Sequence, residues 1–118
     1  MNGVLIVAHG SRIESTRATI EDVVARVQEL LPELPLEIAY MEFDEPRISQ
    51  SAQALIDRGV DAIKVVPYFL FEGIHIRKNI PHELQEARRD HPHIKFTMSK
   101  ALGSDPRLAD ILADRIRE

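Results

Sequence analysis

Cysteine is absent from the chain, which excludes disulfides, iron–sulfur clusters and thiolate zinc sites. Any metal must be held by His, Asp or Glu. No apolar run approaches the ~20 residues of a membrane helix. The opening stretch MNGVLIVAHGS is apolar but short. It lacks a basic leader and a small-residue cleavage site, so it does not read as a signal peptide, and a cytoplasmic protein is expected. Cations are not in excess: 15 Lys and Arg against 19 Asp and Glu leave a net charge of −4. That speaks against nucleic acid, which wants a basic face. Glycines are few, at 3, 10, 59, 73 and 103, and they form neither GxGxxG nor a P-loop. Nucleotide binding of those types is excluded. HExxH and the GxSxG serine elbow are also missing.

What is present is ordinary globular material: 118 residues, 44% hydrophobic and 29% charged. A chain this long makes one domain, residues 1–118, and can bury ~65% of its unfolded surface. Strand and helix patterns alternate four times. Val4–Ala8 is a continuous apolar run, the mark of a strand covered on both faces. Ile20, Val23, Val24, Val27, Leu30 and Leu31 recur at helical spacing up to Pro32. Leu36–Met41 alternates. Glu45–Pro46 is expected to open a second helix carrying Ile48, Ala52, Leu55 and Ile56, with Gly59 ending it. Ala62–Pro67 is a second mostly apolar strand. A connection from Tyr68 to about Asn79 leads to a third helix near Pro81. Ile94–Ser99 alternates. Asp105–Pro106 reads as a helix cap before an apolar face of Leu108, Ile111, Leu112 and Ile116.

Strands alternating with helices imply a parallel sheet with right-handed crossovers. The two most apolar strands, the first and third, belong at the centre and the alternating ones at the edges. The expected fold class is α/β: a four-stranded parallel sheet of order 2-1-3-4 with helices on both faces, a short flavodoxin-like half. Ligands bind such sheets at the carboxyl ends of the strands, where the order reverses. Here that point lies after Ala8 and after Pro67.

Each of those two ends delivers a histidine, His9 and His75. A histidine beside a glycine is also an ordinary turn residue; two at the switch point make coincidence a weaker explanation. Two neutral imidazoles with open positions suit divalent cobalt, nickel or iron, and they suit proton transfer near neutrality. Glu42 and Glu45, after the second strand, can assist a metal, accept protons, or serve only as solvated or helix-end charges. Arg12, Arg47, Arg77 and Lys78 crowd the same loops of an acidic chain, which suggests an anionic ligand. The apolar loop Tyr68–Phe71 suits a flat apolar ligand or a subunit contact. His82, His91 and His93 read as solvated.

Three segments, VAHGSR (Val7–Arg12), YMEFDEPRI (Tyr40–Ile48) and VVPYFLFEGIHIRKNIP (Val65–Pro81), resemble the small CbiX-type sirohydrochlorin chelatases. The resemblance extends along nearly the whole chain. It implies a chelatase-like fold and an enzyme that inserts cobalt or nickel into sirohydrochlorin, toward cobalamin or the nickel tetrapyrrole of methanogenesis. No permanently bound cofactor is implied; Co²⁺ or Ni²⁺ is the substrate metal. A single lobe implies a homodimer; no nucleic-acid or membrane partner is expected, on the charge and the apolar runs described above. His9 and His75 match the metal-binding and catalytic positions, and Glu45, Leu70, Phe71, Glu72, Gly73, Ile74 and His75 match substrate-contacting ones. Asn79 stands where the family's usual KDIP motif has aspartate, so no carboxylate role is assigned there. The alternatives are an iron chelatase for siroheme, a non-catalytic tetrapyrrole or metal carrier, and a histidine phosphatase. For the last, Ala8 occupies the place of the arginine that normally precedes His-Gly.

Overall fold

In the computed structural model all 118 residues are described, save the side chains of His75 and Arg77. Four strands, β1 (Asn2–Ala8), β2 (Leu36–Tyr40), β3 (Ala62–Pro67) and β4 (Lys95–Met98), alternate with four helices, α1 (Glu14–Leu30), α2 (Ile48–Asp57), α3 (Ile80–Asp90) and α4 (Pro106–Arg117). All neighbouring strands pair in parallel, in the order β2-β1-β3-β4. This is the order the apolar patterns require.

Alternation along the strands sorts the core into two layers. Leu5, Val7, Ile63, Val65 and Phe96 point to the face covered by α2 and α3, where Ile48, Leu55, Ile80 and Leu84 meet them. Ile6, Ala8, Leu36 and Tyr40 point to the other face, against Ile20 and Val24 of α1. β1 is therefore apolar on both sides, as buried parallel strands are, whereas β3 buries Ile63 and Val65 on one face and leaves Lys64 exposed on the other.

Four local expectations shift. Pro46 does not open α2; the helix begins two residues later, and the backbone N–H of its cap residue Arg47 donates to the Gln50 side chain at 2.7 Å. The Glu45–Pro46 peptide is cis. The first helix starts at Glu14, ahead of its apolar periodicity, because its first turns lie on the surface. The end of the connection after β3 is a π-helical turn, His75–Asn79, continuous with α3. Such turns are frequent at functional sites. Finally, α4 forms where the pattern places it, and the Asp105 side chain accepts from the Arg107 amide at 2.9 Å. Yet α4 buries none of its residues. Its apolar stripe does not join either layer.

Candidate functional site

At the carboxyl ends of β1 and β2 the strand pairing continues into the loops. The amide of Met41 donates to Ala8 O at 3.0 Å and that of Glu42 to His9 O at 2.9 Å. His9 and Glu42 thus leave the sheet side by side. Gly10 follows at φ 93°, and a Cβ there would stand 1.8 Å from Glu42 O. Only glycine permits so close a crossing of the two loops. Ser11 then donates its amide to the Asp44 carboxylate at 3.0 Å, and the Asp44 amide donates to Glu42 O at 2.7 Å. Between them Phe43 is held at φ 66°, a left-handed conformation that a bulky residue adopts at a cost. Its half-exposed ring meets the His9 imidazole edge-on at 6.5 Å and carries the Arg12 guanidinium 4.8 Å from its centroid.

His9 Nε2 lies 3.4 Å from Glu42 Oε2. The other ring nitrogen, Nδ1, faces Gly10 O at 3.3 Å. When Nδ1 carries the proton, Nε2 presents a lone pair beside a carboxylate oxygen. Two such atoms repel unless a cation sits between them. Their separation is what two ligands of a tetrahedral ion have when each bond is about 2.1 Å. Protonated, the same imidazole would pair directly with Glu42. The pair can therefore bind a metal or hold a proton.

Tyr68 prolongs β3 by donating its amide to Val7 O at 2.7 Å. Phe69 turns back onto the core. The segment that follows is exposed: Leu70, Phe71 and Ile74 are 50%, 79% and 61% accessible, with Glu72 and Gly73 exposed between them. Half of this apolar loop is thus core and half is open surface. The π-helical turn begins at His75 and is anchored by the buried Ile76. The backbone of His75 thus follows the third strand end, while its side chain lies outside the described residues, as does that of Arg77. Among the described residues, no three His, Asp or Glu side chains gather in a metal-holding group.

Two hollows flank the pair. One, of about 390 Å³, is lined by Met41, Glu42, Lys78, Asn79, His82 and Glu83. The other, of about 580 Å³, is lined by Ser11, Arg12, Arg17, Phe43 and Asp44 among others. Of the expected cations, Arg12 and Lys78 line these hollows, and Arg47 donates to Met41 O behind them. Glu83 escaped the sequence reading. Burial holds its pKa above the ordinary carboxylate value, with Arg47 opposing the shift. Its only sequence signal is a lone acid in the first turn of α3. His82 is mostly exposed, 3.8 Å from Glu86, and His91 and His93 face each other at 6.4 Å. Glu45 is exposed farther along the β2–α2 loop. The carboxylate beside His9 is Glu42.

A doubly wound parallel sheet with a histidine and a carboxylate side by side at its switch point defines an α/β protein with the donors of a metal-handling site. The CbiX family profile matches residues 3–118, and the chain belongs to that family. It is 35% identical to the sirohydrochlorin cobaltochelatase of Sulfolobus acidocaldarius over 98% of this chain and 89% of that one. It is 31% identical to a sirohydrochlorin ferrochelatase of Priestia megaterium over all of this chain and 44% of the relative. Among solved structures, a CbiX protein of cobalamin biosynthesis from Marinobacter aquaeolei superposes with a TM-score of 0.83 at 28% identity, covering 99% of this chain and 95% of that one. The sirohydrochlorin chelatase SirB of Bacillus subtilis, in complex with cobalt, gives 0.93 at 26% identity over 98% of this chain and 50% of its own.

Proposed function

We propose that this protein is a sirohydrochlorin chelatase that inserts a divalent metal, cobalt in the first instance, into the free-base tetrapyrrole. The observation that carries the reading is the His9–Glu42 pair at the switch point of a CbiX-family fold. Insertion replaces two pyrrole N–H protons by one M²⁺, so two protons must leave. The metal is substrate here. His9 Nε2 and Glu42 Oε2 would hold it, and His75 would complete a set that leaves positions open for the incoming nitrogens. His9 and His75 would then take the departing protons. Leu70, Phe71 and Ile74, with Glu72 and Gly73, form an exposed edge on which a flat macrocycle could lie, and exposed Glu45 would add a further substrate contact from the β2–α2 loop. Sirohydrochlorin carries eight carboxylates; Arg12, Arg47 and Lys78 are suited to meet them in an acidic chain. The protein's contribution is positioning and stripping water from the metal.

A donor set of histidine and carboxylate suits cobalt, nickel and iron alike. Cobalt is favoured by the full-length cobaltochelatase relatives. A homodimer is part of the reading, because one lobe offers only one wall of the crevice. No helix among the described residues is long and apolar enough to cross a membrane. The test is anaerobic mixing of the protein with sirohydrochlorin and Co²⁺, Ni²⁺ or Fe²⁺, followed in the visible spectrum. Faster cobalt insertion than in protein-free controls is expected. Insertion no faster than in protein-free controls with any of the three metals would overturn the reading.

A further inference from the structure

Glu42, Phe43 and Asp44 form a tight turn beside the site. The Asp44 amide donates to Glu42 O at 2.7 Å, a bond that spans only three residues. With Phe43 at φ 66° in its middle, this is a γ-turn of the positive-φ kind, which is rare and strained. Such a conformation persists only where its surroundings over-determine it. Here they do. The Glu42 amide is tied to His9 O at 2.9 Å and the Asp44 carboxylate to the Ser11 amide at 3.0 Å, while Gly10 lets Glu42 O approach where a Cβ would collide. Asparagine, aspartate or glycine would adopt the same backbone at less cost. A phenylalanine there is explained only by what its ring touches.

The ring is half exposed and belongs to neither core layer, so burial of apolar area does not account for it. Its neighbours are two functional groups. The His9 imidazole meets it at 6.5 Å between centroids with the planes 62° apart, an edge-to-face pair. The Arg12 guanidinium lies over the ring, 4.8 Å from its centroid, within cation–π range. Among the described residues no carboxylate pairs with Arg12, so its N–H donors stay open to a ligand. The acids that line the same hollow are otherwise engaged. Asp44 accepts from Ser11, Glu21 pairs with Arg17 at 2.9 Å, and Glu14 sits in the first turn of α1, where the helix dipole favours it.

We infer that Phe43 is a positioning residue for metal insertion: its ring sets the plane of the His9 imidazole and holds the Arg12 guanidinium beside it, ready for a carboxylate of the tetrapyrrole. The inference rests on the chelatase reading and adds to it a link between ring binding and metal binding. A substrate carboxylate seated on Arg12 stands at a fixed offset from the metal donor, because one side chain braces both. The lone pair of His9 Nε2 is directional, so a tilted imidazole would aim past the metal. A misplacement of about 1 Å near a reacting centre costs ~10²-fold in rate.

Phe43→Leu keeps apolar bulk and removes both ring contacts. Sirohydrochlorin affinity is read by fluorescence quenching, and kcat from cobalt insertion at saturating substrate under anaerobic conditions. Arg12→Ala should weaken affinity by ~10-fold, the worth of one charge-assisted hydrogen bond. Phe43→Leu should weaken it by ~3-fold, the worth of an exposed cation–π contact, and lower kcat by ~10-fold. In the Arg12→Ala background, Phe43→Leu should leave affinity where it stands and still lower kcat, since the two residues act on affinity as one unit. Phe43→Tyr, which keeps the ring, should recover both losses. Phe43→Gly relieves the positive φ, so its urea midpoint should not fall below that of the parent while affinity and kcat drop as in Phe43→Leu.

Affinity losses that simply add, a kcat unchanged in Phe43→Leu, or a Phe43→Gly midpoint that falls in step with activity would each overturn the inference. The chelatase reading fails separately. A parent protein that binds sirohydrochlorin and inserts no metal refutes that reading, whereas a parent that inserts cobalt with an additive cycle refutes only the role of Phe43.

Discussion

His9 and Glu42 place a ring nitrogen and a carboxylate oxygen 3.4 Å apart at the end of two paired strands. Removing either should leave the sheet intact and weaken the hold on the metal. His9→Ala is expected to slow insertion by at least ~10²-fold, the lower end of what one acid–base group contributes. Glu42→Gln should lower insertion while sirohydrochlorin binding, followed by fluorescence quenching, stays near the parent value. His82→Ala should leave insertion nearly unchanged, since its imidazole reaches toward Glu86 and solvent. Gly10→Ala is a different kind of change. Its Cβ would collide with the Glu42 backbone, and the residue would keep a positive φ. A loss of at least about 1–2 kcal/mol in denaturant unfolding is expected. Glu83 gives a pH signature. Its folded pKa is raised by burial, so folding favours the protonated acid and the carboxylate costs stability above that pKa. Glu83→Gln should therefore melt higher than the parent at neutral pH. The difference should close as pH falls through the carboxylate range.

Elements are held to the sheet by a few buried bonds. Ser51, the buried polar residue of α2, donates its hydroxyl to Ile38 O of β2 at 2.5 Å. This bond ties α2 to the strand whose end carries Glu42. Ser51→Ala removes a buried donor, and a loss of about 1 kcal/mol is expected in chemical denaturation. The π-helical turn before α3 sets the site from the other side. Buried Ile76 and Ile80 fasten it to the core, while the segment ahead of it is exposed. Rigid anchoring next to an open edge is the arrangement expected where a large ring must enter.

The whole molecule has more apolar surface than one copy can cover: the Leu70–Ile74 edge, the hollow beside α1 lined by Val4, Val66 and Leu102, and the α4 stripe. Association of two copies would bury it. An obligate pair melts at a temperature that depends on concentration, because unfolding releases two chains. The melting temperature is expected to rise with protein concentration over the micromolar range. A value independent of concentration would indicate a self-sufficient single chain.

Strand order was determined by the sequence alone, because Val4–Ala8 is continuously apolar and Ala62–Pro67 mostly so, which sets both strands at the centre. The switch point, and with it the positions of His9 and His75 in the chain, follows from that order. Hydrophobic pattern is local and periodic, so it can be read without coordinates. Three matters were left to the tertiary structure. Glu42 and Glu45 are equivalent candidates in sequence; the amide bond from Glu42 to His9 O and the left-handed Phe43 decide which one meets the imidazole. Glu83 acquires its raised pKa only from surroundings contributed by distant segments. The amphipathic pattern of α4 shows that a face must be covered, but not by what. Coverage depends on where the chain leaves β4 at Leu102 and Gly103, and that is set by amide bonds to Phe69 O and Leu70 O, in a loop more than thirty residues earlier.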